Sequence, residues 1–140
     1  MTSPFPIYFR FVDGASRHTQ NIASAAWVIY HSCELVSSGG ICLESVTNNV
    51  AEYHVVIEIL TEASSLSITQ LIINLDSQLA VRQLNCEYVV RNSVLLHLHL
   101  RIRCIKRWFE FLQYRHILRE LNTTSYSLAN YMLDWYLMHR

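Results

Sequence analysis

Apolar residues recur along this chain in two rhythms, and the switch between them divides it into elements. Residues 5–13 are aromatic and β-branched and predict a strand, followed by a loop that opens at Asp13-Gly14-Ala15-Ser16. Ala25 to Tyr30 predicts a second strand. Ser37-Ser38-Gly39-Gly40 reads as a turn and Ile41 to Val46 as a third strand, making 5–46 an antiparallel meander. The period then lengthens. Val50, Tyr53, Ile57 and Leu60 fall at helical spacing, with Glu52, Glu58 and Glu62 among the polar positions. Thr47 or Asn48 would cap this helix and place Glu52 in its first turn.

Residues 70–76 are almost continuously apolar, as in a strand covered on both faces. Asp76-Ser77 ends that run and would cap a short helix over 77–85. Residues 92–109 carry both rhythms. Leu96 to Cys104 alternates with period two, yet Leu95, Leu98, Ile102, Ile105 and Phe109 make a helical stripe over a stretch longer than an ordinary strand, so a helix is predicted. Phe111 to Leu118 predicts a fifth strand, and Asn122 or Thr123 opens a last helix to about Met138. The order βββαβα(α)βα predicts an α/β fold, a mixed sheet with helices on its faces.

Composition bounds this picture without changing it. The chain has 140 residues, 51% apolar and 16% charged, with three glycines and two prolines, which predicts a single ordered domain over 1–140 with its core at about 5–138. The net charge is zero, so no overall basic surplus points to nucleic acid. The distribution is uneven: Arg101, Arg103, Lys106, Arg107, Arg115 and Arg119 sit close together, and most acids precede residue 90. That basic cluster suits either phosphate contacts or a solvated helix face. Cys33, Cys42, Cys86 and Cys104 form no CxxC, which argues for free thiols and against zinc. No apolar run reaches the ~18 residues a membrane span needs, and no signal pattern opens the chain. A soluble intracellular protein is expected, a monomer by default.

The candidate chemistry lies in three acids. Asp13 and Asp76 each end an apolar strand, and Glu52 stands early in the helix between them. Neighbouring strands lie about 4.7–4.9 Å apart, so acids at adjacent strand ends would share a divalent cation, with Glu52 closing over it. Three hard oxygen ligands favour Mg²⁺ or Mn²⁺. The competing reading makes each acid a cap or turn residue.

Three blocks bearing these acids resemble the type 1 ribonuclease H family. They are Phe11-Val12-Asp13-Gly14-Ala15-Ser16, Thr47-Asn48-Asn49-Val50-Ala51-Glu52-Tyr53 and the run from Leu75-Asp76-Ser77-Gln78 to Leu84. Asn85-Cys86-Glu87-Tyr88 and His116 to Asn122 extend the likeness, which covers roughly 5–130 and is nearest to the plant-type branch with its retrotransposon ribonuclease H domains. The resemblance implies a ribonuclease H-like fold, a five-stranded mixed sheet in order 3-2-1-4-5 with helices on both faces. It implies cleavage of the RNA strand of an RNA/DNA hybrid at a two-metal centre, the ions held by four carboxylates. Asp13, Glu52 and Asp76 match the first three acids. Asn49 and Gln78 would meet the hybrid's minor groove, where 2′-hydroxyls mark RNA, with Ser16 and Asn48 as further contacts. His116, six residues before Asn122, matches a histidine that assists proton transfer or product release, a role that suits a group titrating near neutrality. A half-buried strand on which Tyr114 and His116 alternate is the plainer alternative.

The pattern departs from the family at the fourth acid. Members usually read Asn-x-x-Ala-Asp-x-Leu-Ala; this chain has Asn122-Thr123-Thr124-Ser125-Tyr126-Ser127-Leu128-Ala129, with Tyr126 where the aspartate is expected. A neutral phenol is a poor Mg²⁺ ligand, and Asp134 lies about 12 Å further along a helix. Three functions follow: a metal-dependent hybrid ribonuclease; a degenerate domain that binds nucleic acid or protein without cutting; and a nuclease of the same fold acting on branched DNA. His97 and His99 are expected at a helix surface or in helix packing, and Trp27, Trp108 and Trp135 in the core.

Overall fold

A computed structural model of the protein describes residues 15–17, 22–31, 34–44, 46–75 and 77–117. Its strands are β1 (Ala15–Arg17), β2 (Ile22–His31), β3 (Glu34–Glu44), β4 (Gln70–Leu75) and β5 (Phe111–His116). Its helices are α1 (Asn48–Ser65), α2 (Gln78–Leu84) and α3 (Ser93–Lys106). β1, β2 and β3 form an antiparallel sheet in that order, while β4 and β5 pair in parallel. The strand predicted over 5–13 and the helix predicted from residue 122 lie outside the described residues.

The hairpin corrects two expectations. Ala15 and Ser16 are not loop but strand, paired with Ser24 and Ala23, because β2 starts three residues earlier than predicted and offers them a ladder. Ser37 to Gly40 is not a turn but the middle of β3, whose pairing with β2 begins at His31 and Glu34. Gly39 is there for space. It faces Trp27, and a Cβ at that position would stand 2.5 Å from Trp27 Cζ2, a contact no side chain can keep. The indole lies across the glycine and donates from Nε1 to Glu58 Oε1 on α1 at 2.9 Å.

α1 is buried nearly all round. Val55, Val56, Ile59, Leu60 and Ala63 are inaccessible and pack with Trp27 and Ile29 of β2 and with Leu71, Ile73 and Leu75 of β4. Its last turn closes as Ile68 N–H donates to Ala63 O at 2.9 Å, with Ser67 in the left-handed region at φ 61°. β4 is buried on both faces, as its apolar run predicts: Ile72 and fully buried Asn74 occupy the side opposite the core cluster. Arg115 Nε of β5 donates to Asn74 Oδ1 at 3.4 Å.

The 92–109 stretch is helical, as its longer stripe predicts. Asn92 Oδ1 accepts from the N–H groups of Val94 and Leu95 at 2.9 and 3.1 Å and starts α3. Leu95, Leu98, His99 and Ile102 face inward, and His97 is exposed. Trp27 is core, but Trp108 is 54% exposed just past the end of α3, against the expectation. Cys42 is half-buried, and burial pushes its thiol pKa up; Cys86 and Cys104 are exposed, and no disulfide joins these three. Cys33 and Trp135 lie outside the described residues, and no helix within them is long and apolar enough to cross a membrane.

Candidate active site

Of the two candidate caps, Thr47 is the one used. Its backbone is extended, and its Oγ1 accepts from Val50 N–H at 3.2 Å. Asn48 is therefore the first helical residue, Asn49 the second and Glu52 the fifth, so Glu52 opens the second turn instead of lying in the first. The difference of one turn decides its environment. Glu52 is only 6% exposed, between Ala51 and Tyr53, which are wholly inaccessible. A carboxylate this deeply placed is costly unless it is paired or holds a cation.

Tyr53 converts that position into a link between helices. Burial first, then the neighbouring Glu52 charge and Cys86, raise its phenol well above the ordinary value, so it stays protonated. Its hydroxyl donates to Gln83 Oε1 on α2 at 2.7 Å. The Gln83 carbonyl lies 2.9 Å from His99 Nε2 on α3; a carbonyl only accepts, so Nε2 carries the proton. The Tyr53 and His99 rings stand 6.4 Å apart. Three helices thus meet around one buried glutamine. Gln83 lies in a motif block, but the sequence gives no sign of this bridge because its partners are 30 and 16 residues away.

α2 begins directly after β4. Ser77 Oγ accepts from Ala80 N–H at 3.2 Å, and Gln78, the first helical residue, is exposed. In the parallel pair, Leu75 is the register partner of His116, and Ile117 N–H donates to Leu75 O at 2.8 Å. The carboxyl ends of β4 and β5 and the start of α2 therefore share one end of the sheet, where open α/β sheets leave their ligand crevice. His116 is exposed there, whereas Tyr114 two residues earlier is 4% exposed and its hydroxyl has no hydrogen-bond partner among the described residues. Asn85 on the far end of α2 donates from Nδ2 to Tyr114 O at 3.2 Å and fastens the helix to β5.

The predicted site residues thus divide. Gln78 and His116 come to the same sheet end; Asn49, half-buried, and Asn48 open α1; Ser16 sits in β1 opposite Ala23. Glu52 is held by α1, which Tyr53 ties to the helix carrying Gln78. Asp13, Asp76 and Tyr126 lie outside the described residues. Among the described residues no three histidine, cysteine or acidic side chains gather as a metal group, but two of the three expected ligands are not among them.

Residues 11–132 match the reverse transcriptase-like family. The chain is 32% identical over 125 residues to a bifunctional protein of Mycobacterium tuberculosis, covering 87% of this chain and 34% of that one. It is 30% identical over 125 residues to ribonuclease HI of Halobacterium salinarum, covering 89% of this chain and 63% of the relative. The chain therefore spans about a third of the first relative's length and under two thirds of the second's. The crystal structure of the Halobacterium salinarum RNase H1 superposes with a TM-score of 0.83 at 29% identity, over 91% of this chain and 98% of that one. LC11-RNase H1 in complex with an RNA/DNA hybrid superposes with a TM-score of 0.84 at 27% identity, over 92% of this chain and 98% of that one. The architecture is an α/β ribonuclease H-like fold, and the chain is related to ribonuclease HI enzymes.

Proposed function

The chain belongs to the reverse transcriptase-like family, and from that we propose that it is a metal-dependent endonuclease cleaving the RNA strand of RNA/DNA hybrids. The observation that carries this reading is Glu52: a carboxylate 6% exposed inside the Thr47–Tyr53 block, on a fold that superposes on a hybrid-bound RNase H1. β1–β2–β3 and β4–β5 would join through β1 and β4 into one sheet of order 3-2-1-4-5, bringing the ends of β1 and β4 beside α1.

Asp13, Glu52 and Asp76 would hold Mg²⁺ or Mn²⁺, and an all-oxygen donor set with a buried acid fits such a hard cation. The bound ions would supply Lewis acidity to the attacking water and the leaving 3′ oxygen. The chain's own groups do the rest. Asn49 and Gln78, at the starts of α1 and α2, position the RNA strand through its 2′-hydroxyls, with Ser16 and Asn48 alongside. His116, exposed at the end of β5, takes or returns a proton as product leaves. The Tyr53–Gln83 bond keeps α1 and α2 in register, so Glu52 and Gln78 face one substrate.

A second reading rests on one residue. Tyr126 in place of an aspartate favours a domain that binds hybrid without cutting it. Cleavage of a labelled RNA/DNA hybrid in Mg²⁺ and in Mn²⁺ separates the two, comparing wild type, Asp13→Asn, Tyr126→Asp and the double variant. Wild-type cutting that Asp13→Asn abolishes is the expected result. Wild-type silence with rescue by Tyr126→Asp would install the binding reading, and silence in every variant would leave only the fold. Asn49→Ala should weaken hybrid binding more than duplex DNA binding; equal loss on both would favour a branched-DNA substrate.

A further inference from the structure

α3 buries one line of side chains and exposes a second on the opposite side. At about 100° per residue, Leu95, Leu98, His99 and Ile102 point to the core, while Leu96, Leu100 and Cys104 share the outer face. Leu96 is 42% and Leu100 48% exposed, where a solvated helix normally carries polar residues. Arg103 and Arg107 run along one flank of this apolar line, and His97 and Arg101 along the other, all exposed. Two shallow grooves meet at Leu100 and Cys104. One, of about 500 Å³, is bounded by His97, Arg101 and Ile105; the other, of about 340 Å³, by Arg103 and Arg107. Between Glu87 and Glu110 the chain holds no acid, yet it holds Arg91, Arg101, Arg103, Lys106 and Arg107.

We propose that the outer face of α3 docks an acidic amphipathic helix of a partner protein. The apolar line and the flanking cations together select this occupant. Exposed leucines in a row, rimmed by charge, mark a protein contact. A second copy of the chain would bring the arginines of one α3 against those of the other, which like-charge repulsion opposes. Nucleic acid would engage the arginines but set the leucines against sugar and phosphate, where apolar burial yields little. An acidic helix satisfies both: its apolar residues enter the grooves on either side of Leu100, and its carboxylates meet Arg101 on one flank and Arg103 and Arg107 on the other. α3 is about 21 Å long at 1.5 Å per residue, enough for a partner of roughly four turns. This inference is independent of whether the protein cuts hybrid.

The test is fluorescence anisotropy with a labelled helical peptide of about 18 residues, leucines at heptad spacing flanked by glutamates. Its control has the leucines replaced by serine. The wild type should bind the leucine peptide at least about tenfold more tightly than the control, and Leu96→Ser/Leu100→Ser should lose about the same factor. Arg103→Glu/Arg107→Glu should lose it too, while Leu96→Ser/Leu100→Ser keeps wild-type affinity for RNA/DNA hybrid. Equal affinity for both peptides, or none at millimolar concentration, overturns the proposal. Loss of hybrid binding by the serine variant in the same proportion would assign the face to nucleic acid. A wild-type dimer in sedimentation equilibrium that the serine variant dissolves would assign it to a second copy. Either result overturns it as well.

Discussion

α1 and α3 pack against each other, yet each breaks the rule of hydrophobic inside and polar outside in the opposite sense. α1 is surrounded and still buries a carboxylate, Glu52. α3 has a free side and still shows leucines on it. An exposed leucine alone says little, since much protein surface is apolar; a buried charge or an ordered row of exposed apolar residues says more. Neither exception follows the ordinary pattern of a helix packed on a core. The contrast separates two kinds of commitment: a site built inward on a rigid, capped helix, and a contact built outward on a helix whose other side already holds it in place.

The contrast breaks first at Glu52. Glu52→Gln keeps the shape and removes the charge, so hybrid cleavage should fall at least about 10²-fold while the melting temperature holds. An active Glu52→Gln enzyme would remove the buried acid from the mechanism. Next come two truncations of the same residue type. Leu60→Ala, at an inaccessible position of α1, should cost about 2–5 kcal/mol in urea unfolding. Leu100→Ala on α3 should cost no more than about 0.5 kcal/mol. Comparable losses at the two positions would mean that the outer face of α3 is already covered within the fold.

A smaller effect is expected where the helices are joined. Tyr53→Phe deletes the 2.7 Å bond and leaves Gln83 Oε1 buried without its donor, a loss of about 1–2 kcal/mol. Adding Gln83→Leu removes the stranded acceptor and should recover part of it, a coupling a double-mutant cycle would measure. The smallest effect is in pH. His54 on α1 has its pKa lowered by burial first and by the charge of Arg101 on α3 second. The folded protein therefore takes up this proton less readily than the unfolded chain does. Its stability is complete above the ordinary value of 6.5 and declines as pH falls from there towards the lowered folded value. His54→Gln should flatten that slope in the melting temperature, and Arg101→Ala should reduce it.

Local signals carried most of the fold. The Thr47 cap, the apolar run of β4, the Ser77 cap and the long stripe of α3 all declared themselves within a window of one element. What the sequence hid depends on distant partners. Gly39 and Gly40 look like a turn because glycine permits one, but Gly39 is a flat place for an indole twelve residues back in the chain. Glu52 reads as a first-turn acid among the polar positions, whereas the structure puts it in the second turn and buries it. The bridge from Tyr53 through Gln83 to His99 has no sequence signature, since hydrogen-bond partners across three helices follow no period. Three short strings of residues suggested a site, of whose acids Glu52 alone lies among the described residues; how Glu52 is held was not legible in them.

The Thr47 cap also bears on what kinds of change the chain can absorb. Thr47 sets the start of α1, and each added residue turns a helix by about 100° and advances it by 1.5 Å. One residue inserted after Thr47 would swing everything beyond it, sending the carboxylate of Glu52 away from its present setting and Tyr53 off Gln83 together. A substitution at Asn48 or Asn49 leaves that phase intact. The interval is therefore a measured distance written in residues, more tolerant of new letters than of a new count.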